Sequence, residues 1–138
     1  QRMTERGILD TNAVILLSRV SDSSTLPKYP LITTITLAEL SVGPHVASSE
    51  IERAARQAHL QQAESDFEAL PFDSAAARAL GRVASDLRSQ GRKHKARAYD
   101  ALIASIAISQ SLPIYTANPD DFKGIAELEI VPLAVPDD

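Results

Sequence analysis

Short apolar segments alternate with amphipathic segments along the chain. The apolar segments have the lengths of buried strands, and we predict strands at 7–9, 31–36, 67–72, 113–115 and 128–132. Apolar residues with helical spacing predict helices at 13–17, from about 37 to 43, after 49, around 80–87 and at 97–111. Strands that alternate with helices indicate an α/β fold with a mainly parallel sheet covered on both faces.

The helix after residue 49 has the clearest local signature. Ser49 and Glu52 have the spacing of a capping box, in which each side chain bonds a free backbone N–H at the start of a helix. The apolar residues behind the box keep the helical period: Ile51, Ala54, Ala55 and Ala58. We therefore expect a helix that begins at the box and continues through these residues.

The composition limits the class of protein. The 138 residues, 44% of them hydrophobic, suffice for one domain with a real core. Met3 is a candidate start, so we place this domain at residues 3–138. The absence of cysteine excludes disulfides, thiolate metal sites and cysteine nucleophiles. The apolar segments are too short to span a membrane, and the N-terminus lacks the pattern of a signal peptide, so we expect a cytoplasmic protein.

Acidic and amide side chains follow three of the predicted strands. Asp10 follows the first strand, Glu39 follows the second, and Asn118 and Asp121 follow the strand at 113–115. Each has an ordinary interpretation: Asp10 as a helix cap, for example, or Glu39 as a partly exposed helix residue. In open α/β sheets, however, ligands bind where the carboxyl ends of the strands meet. We therefore expect these side chains to share one edge of the sheet.

Asp100 lies on an apolar stripe of its helix. The stripe is formed by residues with helical spacing from it: Ile103, Ala104, Ala107 and Ile108. A carboxylate facing the core is costly unless a positive charge or a hydrogen-bond donor meets it. The alternative is an aspartate stabilised by the helix dipole at the helix start. The residue alone leaves these two interpretations open.

Three or four converging carboxylates, without cysteine or histidine, are typical of a site for a hard cation such as Mg²⁺ or Mn²⁺. The histidines, His45, His59 and His94, are scattered, and we interpret them as surface residues. A divalent cation offsets the repulsion between the carboxylates, and it can activate a water for attack on a phosphodiester. The pattern therefore favours a metal-dependent hydrolase that acts on phosphate esters.

Four sequence blocks, in order, resemble the signature of the PIN-domain ribonucleases. They are ILDTN at 8–12, TLAEL at 36–40, YDALIA at 99–104 and TANPDDF at 116–122. Each block alone is weak, whereas the ordered set covers nearly the whole chain. The chain length and the Asp-Thr-Asn opening resemble the VapC-type toxins of bacterial toxin–antitoxin pairs in particular.

The resemblance implies a three-layer α/β/α fold, RNA cleavage that depends on Mg²⁺ or Mn²⁺, and a homodimer neutralised by a small cognate antitoxin. It places the catalytic and metal-binding acids at Asp10, Glu39 and Asp100. The fourth family acid often falls where this chain has Asn118. Either Asp121 is the missing carboxylate, or a second metal ion binds weakly. Further residues expected to support the acids are Thr11, Asn12 and Thr116.

A basic segment leads directly into Asp100. It contains five formal positive charges within ten residues: Arg88, Arg92, Lys93, Lys95 and Arg97. Most charge runs are solvated loops, and the net charge of −4 argues weakly against a nucleic-acid partner. The position of the segment beside the acids nevertheless favours contact with RNA phosphates.

Two other functions remain open from the sequence. The same carboxylates would serve a metal-dependent DNA nuclease, because both backbones are phosphodiesters. A non-catalytic nucleic-acid-binding module is the second alternative, and the amide at position 118 makes it more credible. The pattern does not reveal which RNA is the target.

Overall fold

The computed structural model describes residues 5–91 and 98–136. The strands are β1 (Arg6–Leu9), β2 (Tyr29–Thr33), β3 (Ala69–Leu70), β4 (Ile114–Thr116) and β5 (Ile130–Pro132). The α-helices are α1 (Thr11–Ile15), α2 (Thr34–Val42), α3 (Glu50–Asp66), α4 (Ser74–Ser89) and α5 (Ala98–Gln110). Turns of 3₁₀-helix lie at Leu17–Arg19, Ser23–Thr25, Gly43–Val46 and Pro119–Phe122.

The strands form one sheet in the order β3-β2-β1-β4-β5. β1 is central: its Ile8 is in register with Leu31 of β2 and with Ile114 of β4. Every pairing between the described strands is parallel, so their carboxyl ends all lie at one edge. The predicted parallel sheet and the position of the last strand at its border are confirmed.

Helices cover both faces of the sheet. Ile8 belongs to the core beneath α4 and α5, together with Val83 and Ile103. The next residue, Leu9, belongs to the core on the other face, which includes Ala63 of α3. Successive strand residues point to opposite faces, so β1 contributes to both cores. The three-layer α/β/α architecture is confirmed. Within residues 5–91 and 98–136, no helix is long and apolar enough to cross a membrane.

The second strand ends earlier than its β-branched composition predicts. It stops at Thr33, and α2 begins at Thr34. The Thr33 side chain explains the change of structure, because its hydroxyl accepts a 3.2 Å hydrogen bond from the Thr36 N–H and caps the helix. The prediction of strand over 34–36 is therefore wrong. Likewise, the strand predicted at 67–72 is reduced to Ala69–Leu70.

The predicted capping box at the start of α3 is confirmed. Ser49 Oγ accepts a 3.1 Å hydrogen bond from the Glu52 N–H, and Glu52 Oε1 accepts one of 3.0 Å from the Ser48 N–H. Ile51 is 86% exposed, whereas Ala63, near the end of the helix, is buried. The apolar residues behind the capping box therefore lie on the surface, and the helix meets the core near its other end.

Candidate active site

Asp10 is a buried carboxylate between β1 and α1, with only 3% of its surface exposed. Its Oδ1 accepts a 2.8 Å hydrogen bond from the Ala13 N–H, so it does cap α1. Its Oδ2 accepts a 2.6 Å hydrogen bond from the hydroxyl of Thr116, at the end of β4. Asp10 is thus a helix cap and a member of a polar cluster at the carboxyl edge of the sheet.

The electrostatic environment of Asp10 disfavours its charge. Burial raises the pKa of Asp10 above its ordinary value of 3.8, and the negative charges of Asp121 and Glu39 raise that pKa further. The hydrogen bonds from Thr116 and Ala13 oppose this shift. Carboxylates on α2 and in the 3₁₀ turn after β4 therefore lie near enough to Asp10 to raise its pKa.

Glu39 lies on α2 and is half-buried. Its Oε1 accepts a 2.5 Å hydrogen bond from the Thr11 hydroxyl. Burial raises the pKa of Glu39 above its ordinary value of 4.5, and the Thr11 hydrogen bond opposes the rise. Glu39, Thr11 and the exposed Asn12 line a cleft of about 490 Å³ that extends to His59 of α3. Thr11, which the resemblance predicts to support the acids, therefore contacts Glu39 directly.

Thr36 also belongs to this cluster, although the sequence does not single it out. Its Oγ1 lies 3.0 Å from Thr11 Oγ1, and its side chain is fully buried. It occupies the first turn of α2, three residues before Glu39. The spacing of Thr33 and Thr36 indicates a capped helix start, but contact with Thr11 depends on how α1 and α2 pack.

Asn118 and Asp121 differ in what they contribute. Asn118 is exposed, and its backbone N–H donates a 2.9 Å hydrogen bond to Thr116 Oγ1. Asp121 lies on the following 3₁₀ turn, is half-buried, and adds to the negative field that raises the pKa of Asp10. The negative charge of Asp121, the candidate for the missing acid, therefore helps to raise the pKa of Asp10.

Asp100 lies in the first turn of α5 and is half-buried. α5 packs against α2, which carries Glu39, and against the 3₁₀ turn that carries Asp121. The predicted stripe is buried at Ile103 and neighbouring positions, but Ser105 and Ile106 on other faces are buried as well. Because the middle of the helix is buried all round, its period does not by itself orient Asp100.

The described residues include the four predicted acids but only one of the five predicted basic residues. Within residues 5–91 and 98–136, no group of three acidic or histidine side chains is arranged so that it could hold a metal ion. Most of the predicted basic segment lies outside the described residues: Arg92, Lys93, Lys95 and Arg97. Arg88 is exposed in the last turn of α4.

Comparison with known proteins agrees with this fold and arrangement. The PIN domain family model matches residues 8–128. Ribonuclease VapC5 of Mycobacterium tuberculosis is 38% identical over 130 residues, which cover 91% of this chain and 93% of that protein. Ribonuclease VapC of Rickettsia bellii is 31% identical over 133 residues, covering 94% and 98%.

A solved structure gives the same picture. One chain in the crystal structure of VapBC-5 from Mycobacterium tuberculosis, a member of the VapBC family of toxin–antitoxin systems, superposes with a TM-score of 0.79. It is 37% identical, and the match covers 93% of this chain and 98% of that one. The chain belongs to the PIN-domain family. Within that family, it is similar to proteins of the VapC type.

Proposed function

We propose that this protein is a Mg²⁺- or Mn²⁺-dependent endoribonuclease and the toxin of a toxin–antitoxin pair. The main support is the position of Asp10, a buried carboxylate whose pKa is raised by burial and by two further acids. Clustered carboxylates with raised pKa values are typical of functional sites. Repulsion between their negative charges destabilises the ion-free protein, and a bound cation offsets that repulsion. The names of the VapC relatives support RNA as the substrate.

The residues present fit a magnesium or manganese ion. Their donors are carboxylate oxygens, which are the preferred ligands of these hard cations. Mg²⁺ usually keeps several waters and takes only one or two carboxylates directly, so a site need not contain three converging acids. We assign direct contact to Asp10 and Glu39, with Asp100 and Asp121 adding negative charge or further ligands. The bound ion would supply the Lewis acid for phosphodiester hydrolysis.

The protein groups would hold the two principal acids in place. Thr116 and the Ala13 N–H bond the two oxygens of Asp10, which restricts rotation of that carboxylate. Thr11 bonds one oxygen of Glu39 in the same way. Outer hydrogen bonds of this kind orient ligands and strengthen metal binding. The cleft beside Glu39 leaves room for a substrate next to the acids.

Cleavage assays with matched RNA and DNA test the proposal. We expect RNA cleavage with Mg²⁺ or Mn²⁺ and none with excess chelator. Asp22→Asn is the matched control for substitutions of the site acids. Asp22 is an exposed aspartate that accepts a hydrogen bond from the Ser24 N–H, in the connection that enters β2. Cleavage of DNA alone would replace the proposal with a DNA nuclease. Metal-independent binding without cleavage of either substrate would replace it with a binding module.

The partner in this proposal is a small cognate antitoxin, and the toxin itself is a homodimer. The similarity to a VapBC toxin–antitoxin structure supports the antitoxin. Exposed apolar side chains such as Ile51 and Val46 provide surface for such assembly. A small protein that is encoded at the native locus and copurifies with this chain should abolish RNA cleavage at a stoichiometric ratio. Light scattering of the purified chain should give the mass of a dimer, whereas a monomer mass would contradict the dimer.

A further inference from the structure

Two threonine hydroxyls in series lie behind the Glu39 carboxylate. Thr11 Oγ1 donates to Glu39 Oε1 over 2.5 Å, and Thr36 Oγ1 lies 3.0 Å from Thr11 Oγ1. Thr11 begins α1, and Thr36 lies in the first turn of α2, so the series joins two helices. It ends in the protein interior, because no part of Thr36 is exposed.

The direction of each hydrogen bond follows from the number of protons. An ionised carboxylate can only accept hydrogen bonds, and a threonine hydroxyl has one proton to donate. Thr11 gives that proton to Glu39, so in the bond between the hydroxyls Thr36 is the donor and Thr11 the acceptor. Thr36 thereby favours the orientation of Thr11 in which its proton points to Glu39.

Among residues 5–91 and 98–136, Thr11 is the one hydrogen-bond partner of the Thr36 hydroxyl. The helix cap at this point uses Thr33 Oγ1 and the Thr36 N–H instead. Valine would fill the same space without a buried polar group. The hydroxyl therefore acts on the acidic site rather than on the local helix.

We propose that Thr36 is a positioning residue for the acidic site. It orients Thr11, and through Thr11 it holds Glu39 in one conformation for a divalent cation. A glutamate side chain has several rotatable bonds. A hydroxyl that fixes its orientation therefore lowers the conformational-entropy cost of ordering it when the cation binds. This inference rests on the proposed metal-dependent function.

The first test compares Thr36→Ser with Thr36→Ala. Both variants lose the same methyl group, and they differ in the hydroxyl alone. We expect Thr36→Ala to weaken Mn²⁺ affinity by about tenfold and to lower kcat, with KM for RNA unchanged, whereas Thr36→Ser stays within about twofold of the wild type. Calorimetry and single-substrate kinetics measure these quantities. Equal Mn²⁺ affinities in the two variants would overturn the proposal.

The second test asks whether Thr36 acts through Thr11. Thr11→Val removes the middle of the series, so adding Thr36→Ala to it should weaken Mn²⁺ binding no further. Thr33→Ala is the matched control: Thr33 is equally buried, but its hydroxyl caps α2. It should lower the free energy of unfolding and leave Mn²⁺ affinity unchanged. Additive losses for Thr36→Ala and Thr11→Val would overturn the role of Thr11 as intermediary.

A third measurement requires neither metal nor RNA. Three-bond couplings of the Thr11 methyl group report whether its χ1 angle occupies one rotamer. We expect one rotamer in the wild type and in Thr36→Ser, and averaging between rotamers in Thr36→Ala. A wild type that neither binds Mn²⁺ nor cleaves RNA would contradict the proposed function alone. A single Thr11 rotamer in Thr36→Ala would contradict the role of Thr36, whatever the function.

Discussion

Thr116 Oγ1 donates a 2.6 Å hydrogen bond to Asp10 Oδ2, although the two residues are 106 positions apart in the sequence. The bond is possible because β4, which ends at Thr116, lies directly beside β1. Thr116 in turn accepts a hydrogen bond from the Asn118 N–H. The end of β4 is therefore tied to the principal buried acid of the site.

Replacing Thr116 by valine should therefore damage both stability and metal binding. The variant removes a hydrogen bond that lowers the pKa of Asp10, so that pKa should rise further. It also leaves buried polar atoms without a partner, which costs about 1–3 kcal/mol of unfolding free energy. Mn²⁺ affinity should fall by about tenfold or more. Thr116→Ser retains the hydroxyl and should restore most of the affinity; an equal loss in Thr116→Ser would show that the methyl group matters instead.

The acids themselves should be needed for cleavage but not for folding. Asp10→Asn, Glu39→Gln and Asp100→Asn should each lower the rate of RNA cleavage by about a hundredfold or more, because each removes charge that holds the ion. Circular dichroism and thermal unfolding should show an intact fold, with unchanged or higher stability in the absence of metal. A folded Asp100→Asn protein with the wild-type rate would remove Asp100 from the site.

The stability of the metal-free protein should depend on pH through Asp10. Its pKa in the folded protein is raised above the ordinary 3.8, so the folded state holds this proton more tightly than the unfolded chain does. The corresponding stabilisation is complete below the ordinary pKa and is lost as the pH rises through the raised value. Urea unfolding with chelator, from about pH 4 to about pH 8, should show Asp10→Asn gaining stability relative to the wild type as the pH increases. A difference independent of pH would contradict the raised pKa.

The loop after β4 should tune metal affinity. Asp121→Ala removes a negative charge that acts on Asp10, so Mn²⁺ affinity should fall, by about tenfold if Asp121 also orients a ligand. Asn118→Asp adds a charge next to Thr116 and should tighten binding. Asp120→Asn is the matched control, since Asp120 is exposed in the same turn. Calorimetric titration measures these affinities. Wild-type Mn²⁺ affinity in both Asp121→Ala and Asn118→Asp would show that this loop does not contribute to metal binding.

The basic segment before Asp100 gives a prediction that rests on sequence alone. Replacing Arg92, Lys93 and Lys95 together by alanine should weaken RNA binding similarly for all sequences. Each lost phosphate contact lowers the slope of log affinity against log salt by about 0.7 for a single strand, so the triple variant should flatten it by roughly 2. Mn²⁺ affinity should remain that of the wild type. An unchanged slope would make the segment a solvated loop, and altered antitoxin binding with normal RNA binding would assign it to the partner.

In α3 and α5, the sequence pattern predicts the helix but not which of its faces are buried. The period of α5 predicts one core-facing stripe, but α5 is buried on all sides between Ile103 and Ala107, so the period does not orient Asp100. The apolar residues at the start of α3 keep the helical period, yet Ile51 is 86% exposed. A hydrophobic period identifies a helix, but which face is covered depends on the neighbours that pack there.

The sequence by itself determined the fold class and the sharing of one sheet edge by several acids. Strand and helix patterns are local, and parallel strands place the residues that follow them at the same edge, whatever the strand order. Only the tertiary structure decided which hydroxyl meets which acid. Thr116 reaches Asp10 because β4 neighbours β1, and Thr36 lies behind Thr11 because α1 packs on α2. Hydrogen bonds act over about 3 Å, so such partners depend on packing between distant segments, which local sequence patterns do not encode.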